Sequence, residues 1–211
     1  MIGNISGIIW DWNGTLLNDA DLAVQTMNQM LERRGLQVLS VDDYKSVFTF
    51  PVKDYYKKIG FDFQKEPFEV PAQEFIDCYN SRVTECKLQK NTVRVLEYFR
   101  SIDVKQYILS AMEQEVLENC LSNYQISGFF EYVLGLDNIY AASKIENGHR
   151  LIADLKLDAS ELVLIGDTVH DFEVATELGC QCVLIADGHQ SKEVLQSTGA
   201  LVIDSISQLL G

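Results

Sequence analysis

The sequence predicts an α/β fold, a doubly wound parallel sheet with an inserted α-helical unit, and three observations lead there. Short apolar runs of strand length recur along the chain. Helical patterns fill most of the gaps between them, an alternation that yields a parallel sheet with helices on both faces. One long interval near the N-terminus breaks the alternation and reads as helices alone.

The first strand spans Ile5 to Trp10 and breaks at once into Asp11-Trp12-Asn13-Gly14-Thr15. A carboxylate therefore stands at a strand end, where open α/β sheets gather their chemistry. From Asn18 to about Leu88 no strand pattern stands out. Ala20, Ala23, Val24, Met27, Met30 and Leu31 form an apolar stripe ending at Gly35, and Asp19 and Asp21 suit the positive end of that helix. A later helix opens near Pro71 with Phe75, Ile76, Tyr79, Val83 and Cys86 on one face. The economical reading is a helical insertion over residues 18–88, with residues 1–17 and 89–211 forming the sheet domain. Further strands follow at Val104 to Leu109, Tyr132 to Leu134, Leu162 to Ile165, Cys182 to Ala186 and Ala200 to Ile203. Helical spacing appears at Val95, Leu96, Phe99 and Ile102 and again at Val116, Leu117, Cys120 and Leu121. Gly179 closes a helix running from about 169 to 178.

Composition sets the outer bounds. A chain of 211 residues can bury a sizeable core, and 47% hydrophobic with 23% charged residues is an ordinary globular balance. Seventeen Lys and Arg against thirty-one Asp and Glu give a formal charge of −14. Such a field repels nucleic acid and anionic membrane surfaces, so neither is expected as a partner and any phosphate must be met by a local site. The five cysteines are odd in number and lack metal-ligand spacing, which argues against a disulfide framework or structural zinc and makes a reduced cytoplasmic setting the default expectation. The N-terminus shows no basic region ahead of an apolar core, and no stretch has bilayer-spanning length. Nothing in the sequence specifies an oligomeric state.

Asp11 gains weight from its company. An Asp after a strand is often only a turn former. Here a second strand, Leu162 to Ile165, ends in Gly166-Asp167-Thr168-Val169-His170-Asp171. If the two strands are neighbours, Asp11, Asp167 and Asp171 meet in one crevice, where they repel one another unless a hard cation such as Mg²⁺ sits among them. Helix capping is the competing reading for Asp167 and Asp171. Ser110 follows the Val104 strand and precedes a helix, so its hydroxyl and that helix N-terminus suit a phosphate oxygen. Lys144, in Ala142-Ser143-Lys144-Ile145, lies between the Tyr132 strand and the next helix, where an ammonium can neutralise nucleophile and phosphate together.

In this order DWNGTLL from Asp11, Ser110, Lys144 and GDTVHD from Gly166 resemble the haloacid dehalogenase-like hydrolase superfamily, whose pattern is Asp-x-Asp-Gly-Thr, Ser or Thr, Lys, and Gly-Asp-x-x-x-Asp. The first and last motifs are specific; the middle two match by order. A helical insertion after the first strand is similar to the caps of the phosphoglycolate-phosphatase-like and β-phosphoglucomutase-like branch. The resemblance implies a hydrolase of small phosphorylated metabolites in which Asp11 is the nucleophile and forms an aspartyl-phosphate. It implies Mg²⁺ held by Asp11, the backbone carbonyl of Asn13 and Asp167, with Asp171 acting through water or by orienting ligands. It assigns phosphate oxygens to backbone N–H groups around Asn13 and Gly14, to Ser110 and to Lys144.

Position 13 departs from the pattern. The family's usual second Asp protonates the leaving alkoxide and later deprotonates water; Asn13 has no titratable proton for either task, and losing such catalysis costs about two to four orders of magnitude. Three outcomes follow: a substrate whose leaving group needs little protonation, such as an acyl phosphate, a pyrophosphate or a carbanion; a substitute acid; or a phosphate-binding protein of weak or no turnover. Asp19, His170 and His189 are the candidate acids. Lys53 raises the further alternative of C–P cleavage, because phosphonoacetaldehyde hydrolase relatives use a cap lysine as a Schiff base and also lack the second Asp. Against it, Lys53 shares a solvated face with Lys57 and Lys58. A phosphomutase would need the missing acid even more. The loop Phe48-Thr49-Phe50-Pro51-Val52-Lys53 is the best candidate to reach the crevice, although its aromatics also suit packing inside the insertion.

Overall fold

The structure is a computed structural model that describes residues 5–136, 144–156 and 158–210. Along the chain these form β1 (Gly7–Trp10), β2 (Leu17–Asn18), α1 (Ala20–Arg33), α2 (Val41–Val47), α3 (Val52–Lys58), α4 (Glu69–Asn80), β3 (Lys87–Leu88) and α5 (Thr92–Ser101). They continue with β4 (Lys105–Glu113), α6 (Gln114–Asn123), β5 (Tyr132–Leu136), α7 (Lys144–Leu155), β6 (Leu162–Gly166), α8 (Val169–Leu178), β7 (Gln181–Ile185), α9 (Lys192–Gln196) and β8 (Leu201–Ile203).

Six strands pair in parallel in the order β5-β4-β1-β6-β7-β8, so the direction of winding reverses around β1. That reversal opens a crevice at the carboxyl ends of the strands. The apolar run of β1 is buried on both faces: Ile8 and Trp10 pack on one side with Val95, Leu96 and Ile108, and Ile9 packs on the other with Leu109, Leu151 and Leu164. The buried indole of Trp10 donates to the Gln106 side chain at 3.1 Å, and Gln106 in turn donates to the Leu96 carbonyl, so this polar group inside the core is satisfied.

The expected alternation and the run of helices between residues 18 and 88 are both present, with three corrections. Leu17–Asn18 pairs antiparallel with Lys87–Leu88, a two-residue ladder where the helical stretch leaves and rejoins the sheet unit. Two residues leave no periodicity to read. Helix α4 stops at Asn80, and Val83 lies beyond it in a 3₁₀ turn, Val83–Glu85. The Ser81 hydroxyl turns back to the Cys78 carbonyl at 2.8 Å, a local bond that competes with continuing the helix. Strand β4 continues past Leu109 to Glu113, with a register shift against β5 between those residues. The overrun passes through Ser110 and Ala111, poor strand formers, so the apolar signal ends too early.

Candidate active site

Parallel pairing of β1 with β6 aligns Trp10 with Ile165, and the Asp11 N–H donates to the Ile165 carbonyl at 2.9 Å. The two strand ends therefore bring Asp11 and Asp167 side by side. The Thr15 hydroxyl bridges them, 3.2 Å from Asp11 and 3.0 Å from Asp167. Gly14 turns with φ +75, and a Cβ there would meet an Asp167 oxygen at 2.2 Å. Only glycine allows both the turn and that approach. Asp167 also accepts from the His189 N–H at 2.6 Å.

Lys144 is the first residue of α7 and is buried, its Nζ 2.5 Å from Asp11 Oδ1 and 2.6 Å from Asp171 Oδ1. Ala142 and Ser143, read as part of the lysine segment, lie outside the described residues. The second Asp171 oxygen accepts from the Thr168 N–H at 2.9 Å and the Thr168 hydroxyl at 2.6 Å, closing a capping box at the start of α8. Asp171 thus caps a helix and anchors Lys144 at once.

Burial dominates the electrostatics. It raises the Asp11 carboxyl to about 6, with Lys144 opposing and Asp171 adding to the rise. Burial also lifts Asp167 well above the usual carboxylate range, opposed by His189 and reinforced by Asp11 and Asp171. For Asp171 burial pushes the same way, but Lys144 and the Thr168 hydrogen bonds outweigh it and hold this carboxyl low. Lys144 is held protonated because Asp11 and Asp171 more than offset its desolvation. Carboxylate oxygens of Asp11, Asp167 and Asp171 lie within 4.8 Å of one another, all buried. Lys144 contacts two of the three and leaves Asp167 without an ammonium partner. A set of hard oxygen donors with uncompensated negative charge fits a hard divalent cation.

Asn13 sits in a closed polar network. Its side-chain amide donates to Asp19 at 3.0 Å and to the Tyr79 hydroxyl at 2.8 Å, and the Tyr79 hydroxyl donates to Asp19. Asp19 also accepts the Gly14 N–H at 2.7 Å. The family resemblance assigns that N–H to a phosphate oxygen; in the structure it is already given to Asp19. His189 is buried with Nε2 3.3 Å from Asp19 and Nδ1 2.8 Å from the Tyr44 hydroxyl. Burial works against its charge, yet Asp19 and Asp167 raise the imidazole to about 9. Burial likewise opposes ionisation of Asp19, but His189, Tyr79 and Asn13 hold it below the ordinary range.

A cavity of about 390 Å³ opens beside these groups, lined by Asp11, Asn13, Asp19, Lys144, Asp171, His170 and His189 on one side and by residues of α1 to α4 on the other. The loop from Phe48 does reach it: Phe48 packs on Tyr44 and Tyr55 as well as on His189, and Phe50 stacks on His170 at 4.8 Å. Gln190 fixes the loop by donating to the Phe48 carbonyl at 2.8 Å. His170 is half-buried, with Glu173 3.2 Å away. Ser110 is fully buried, lies within β4 rather than at the start of α6, and accepts the Met112 N–H at 3.0 Å. Its neighbours Ala111, Met112 and Glu113 line the cavity. Lys53 is exposed and turns its ammonium over Phe63 and Phe68, off the cavity wall. Tyr44, Thr168 and the polar role of Tyr79 escape a reading of the sequence; Tyr79 registers only as one member of an apolar stripe.

These motifs and their geometry agree with the comparisons. A phosphoglycolate phosphatase of Caulobacter vibrioides is 29% identical over 96% of this chain and 88% of its own length. The pyrophosphatase PpaX of Listeria monocytogenes is 24% identical over 82% and 79%. A haloacid dehalogenase-like family hydrolase of Streptococcus pneumoniae shares the fold with a TM-score of 0.77 at 19% identity, over 99% of this chain and 98% of that one. The family described as haloacid dehalogenase-like hydrolase matches residues 8–185, a span that runs from β1 to the end of β7 and holds every candidate residue named above except His189; the chain belongs to that family.

Proposed function

We propose that this hydrolase is a Mg²⁺-dependent phosphatase that transfers the phosphoryl group of a small phosphorylated metabolite to Asp11 and then to water. The observation that supports it best is Lys144 clasped between Asp11 and Asp171, with Asp167 beside them at the ends of adjacent parallel strands. A carboxylate attacks an anion only where positive charge screens both partners. Lys144 meets that need at the attacking oxygen of Asp11. Asp11, Asp167 and the Asn13 carbonyl would hold the ion, Asp171 acting by orientation. Bound Mg²⁺ supplies further positive charge for the phosphoryl oxygens. The Asn13 N–H and the Ser110 hydroxyl, which keeps a proton to donate while accepting from Met112, are assigned to phosphate oxygens.

Residues 18–88 then act as a cap that selects the organic part of the substrate, over a core of residues 1–17 and 89–211. A cytoplasmic setting accords with the free thiols of all five cysteines. The caps of C–P cleaving relatives supply a lysine to their site; the exposed position of Lys53 over Phe63 and Phe68 favours the phosphatase reading instead.

The test is phosphate release from 2-phosphoglycolate, pyrophosphate, acetyl phosphate and aryl phosphates, with Mg²⁺ or with EDTA. Mg²⁺-dependent release that falls about 10³-fold or more in Asp11→Asn is expected. Release that survives in that variant removes Asp11 as nucleophile, and no release from any compound leaves a phosphate-binding protein.

A further inference from the structure

The cavity beside the carboxylates is poorly built for a second anion. No lysine or arginine of residues 18–88 lies on its wall. Three of the cationic side chains there turn to other partners: Arg34 to Glu66 and Glu74, Arg33 to Glu74, and Lys53 to two phenylalanine rings. Residues 137–143, between β5 and Lys144, contain no Lys, Arg or His. Among the described residues, the lysine that faces the cavity is Lys144, held by two carboxylates, and the imidazoles of His170 and His189 there lie beside Glu173 and Asp19. Glu113 on the same wall adds negative charge. Much of the rest of the wall is aromatic, Phe48, Phe50, Tyr55, Phe75 and Tyr79 lining it together with aliphatic side chains such as Met112 of β4. At about 390 Å³ the space suits a drug-sized organic group rather than one carboxymethyl.

Asn13 points the same way by separate chemistry. Its amide protons are committed to Asp19 and Tyr79. Asp19 accepts from Gly14, Asn13 and Tyr79, so it has no proton to give, and the His189 nitrogens face Tyr44 and Asp19. Asn13, Asp19 and Tyr79 therefore offer no free proton to a departing oxygen, and the buried His189 Nε2, which makes no hydrogen bond, lies 3.3 Å from an Asp19 oxygen. Phenols release their proton near pH 10, as tyrosine does, several units below alkanols, and so depart without a protein acid.

From these two observations, and resting on the phosphatase reading above, we infer that the substrate is an aryl phosphate monoester whose ring lodges against the aromatic wall. In the first step an Asp11 oxygen forms a bond to phosphorus, the bond from phosphorus to the aryl oxygen breaks, and the electron pair leaves with the phenolate. In the second, water attacks phosphorus and the bond to Asp11 breaks; both water protons stay on the phosphate as H₂PO₄⁻, which returns one to the phenolate through solvent. Atoms and charge balance with no protein acid.

The experiment compares kcat/KM for phenyl phosphate, benzyl phosphate and 2-phosphoglycolate with Mg²⁺, and in parallel calorimetric affinities for phenylphosphonate and phosphonoacetate. Benzyl phosphate keeps the ring but releases an alkoxide. Phenyl phosphate is expected to exceed benzyl by about 10²-fold, and benzyl to exceed 2-phosphoglycolate by about tenfold. Phenylphosphonate should bind at least about tenfold tighter than phosphonoacetate, and Ile76→Arg, which adds a cation to the wall, should reverse that order. Equal rates with phenyl and benzyl phosphate overturn the phenolate leaving group; faster 2-phosphoglycolate or tighter phosphonoacetate overturns the aromatic pocket. Neither result touches the phosphatase reading, which fails instead if Asp11→Asn hydrolyses these esters as well as the wild type does. The affinity arm decides the pocket even where turnover is absent.

Discussion

The Asn13 side chain and the Asp19 carboxylate lie 3.0 Å apart, amide to oxygen, with Asp19 buried to 1% exposure. A carboxylate at position 13 would face a buried like charge. Asn13→Asp should therefore lose about 2 kcal/mol of stability at neutral pH. The new carboxyl takes a folded-state pKa above its unfolded value, so the deficit shrinks as pH falls through that raised value and is largest above it. Urea unfolding at pH 5 and pH 7.5 checks this. Held protonated by its neighbour, the same group can serve as a general acid, so turnover of benzyl phosphate should rise by about 10²-fold while phenyl phosphate changes little. Equal stability at both pH values would remove the like-charge argument.

His189 gives the fold a second pH dependence. Its imidazole is raised from 6.5 to about 9 although burial opposes its charge, because Asp19 and Asp167 favour the protonated form. A raised folded pKa stabilises fully below pH 6.5, and the contribution is lost as pH climbs through 9. The shift corresponds to about 3 kcal/mol. With EDTA present throughout, the stability gap between wild type and His189→Gln should be wide at pH 6.5 and close by about pH 10 in urea unfolding. A gap unchanged across that window would mean that His189 acts through packing against Tyr44 and Phe48 alone.

Most of the sheet and the carboxylate cluster were legible because they depend on local signals. An apolar run buried on both faces, followed by Asp-x-Asn-Gly-Thr, forces a strand and a tight turn; Gly179 stops α8 with φ 77 where the sequence puts the stop. What could not be read depends on contacts across long separations. Asn13 meets Tyr79 across 66 positions, and Tyr44 meets His189 across 145. A tyrosine on an apolar stripe looks the same whether its hydroxyl meets solvent or a buried carboxylate. The partner of the Gly14 N–H is hidden from the sequence for a similar reason, since only the folded loop reveals that Asp19 accepts it.

Gly188 offers a probe of the Asp167 position that leaves every carboxylate in place. A Cβ at Gly188 would come 2.1 Å from an Asp167 oxygen and 2.5 Å from the Asp167 Cβ, in a fully buried pocket with nowhere to yield. Gly188→Ala should push the Asp167 carboxylate out of the cluster. On the proposed reading, Mg²⁺ raises the melting temperature of the wild type through preferential binding to the folded state. The variant should lose most of that rise and about 10²-fold in kcat/KM. A Mg²⁺-induced rise equal to the wild type's would show that Asp167 does not help hold the ion.

Lys144→Met tests the clasp between Asp11 and Asp171 most directly. The ammonium is 4% exposed and lies at 2.5 and 2.6 Å from the two carboxylates, so its removal leaves two like charges facing an apolar chain. Breaking a buried ion pair from one side costs about 3–5 kcal/mol. The cost should fall toward pH 5, because Asp11, already raised to about 6 by burial, then takes up a proton and relieves the repulsion. Mg²⁺ should stabilise this variant more than the wild type, since the ion takes over part of the lost neutralisation, whereas turnover should stay depressed for want of the screen at the attacking oxygen. Urea unfolding with and without Mg²⁺ at the two pH values separates these effects. A variant as stable as the wild type at pH 7.5 without metal would mean that the clasp serves catalysis and not the fold.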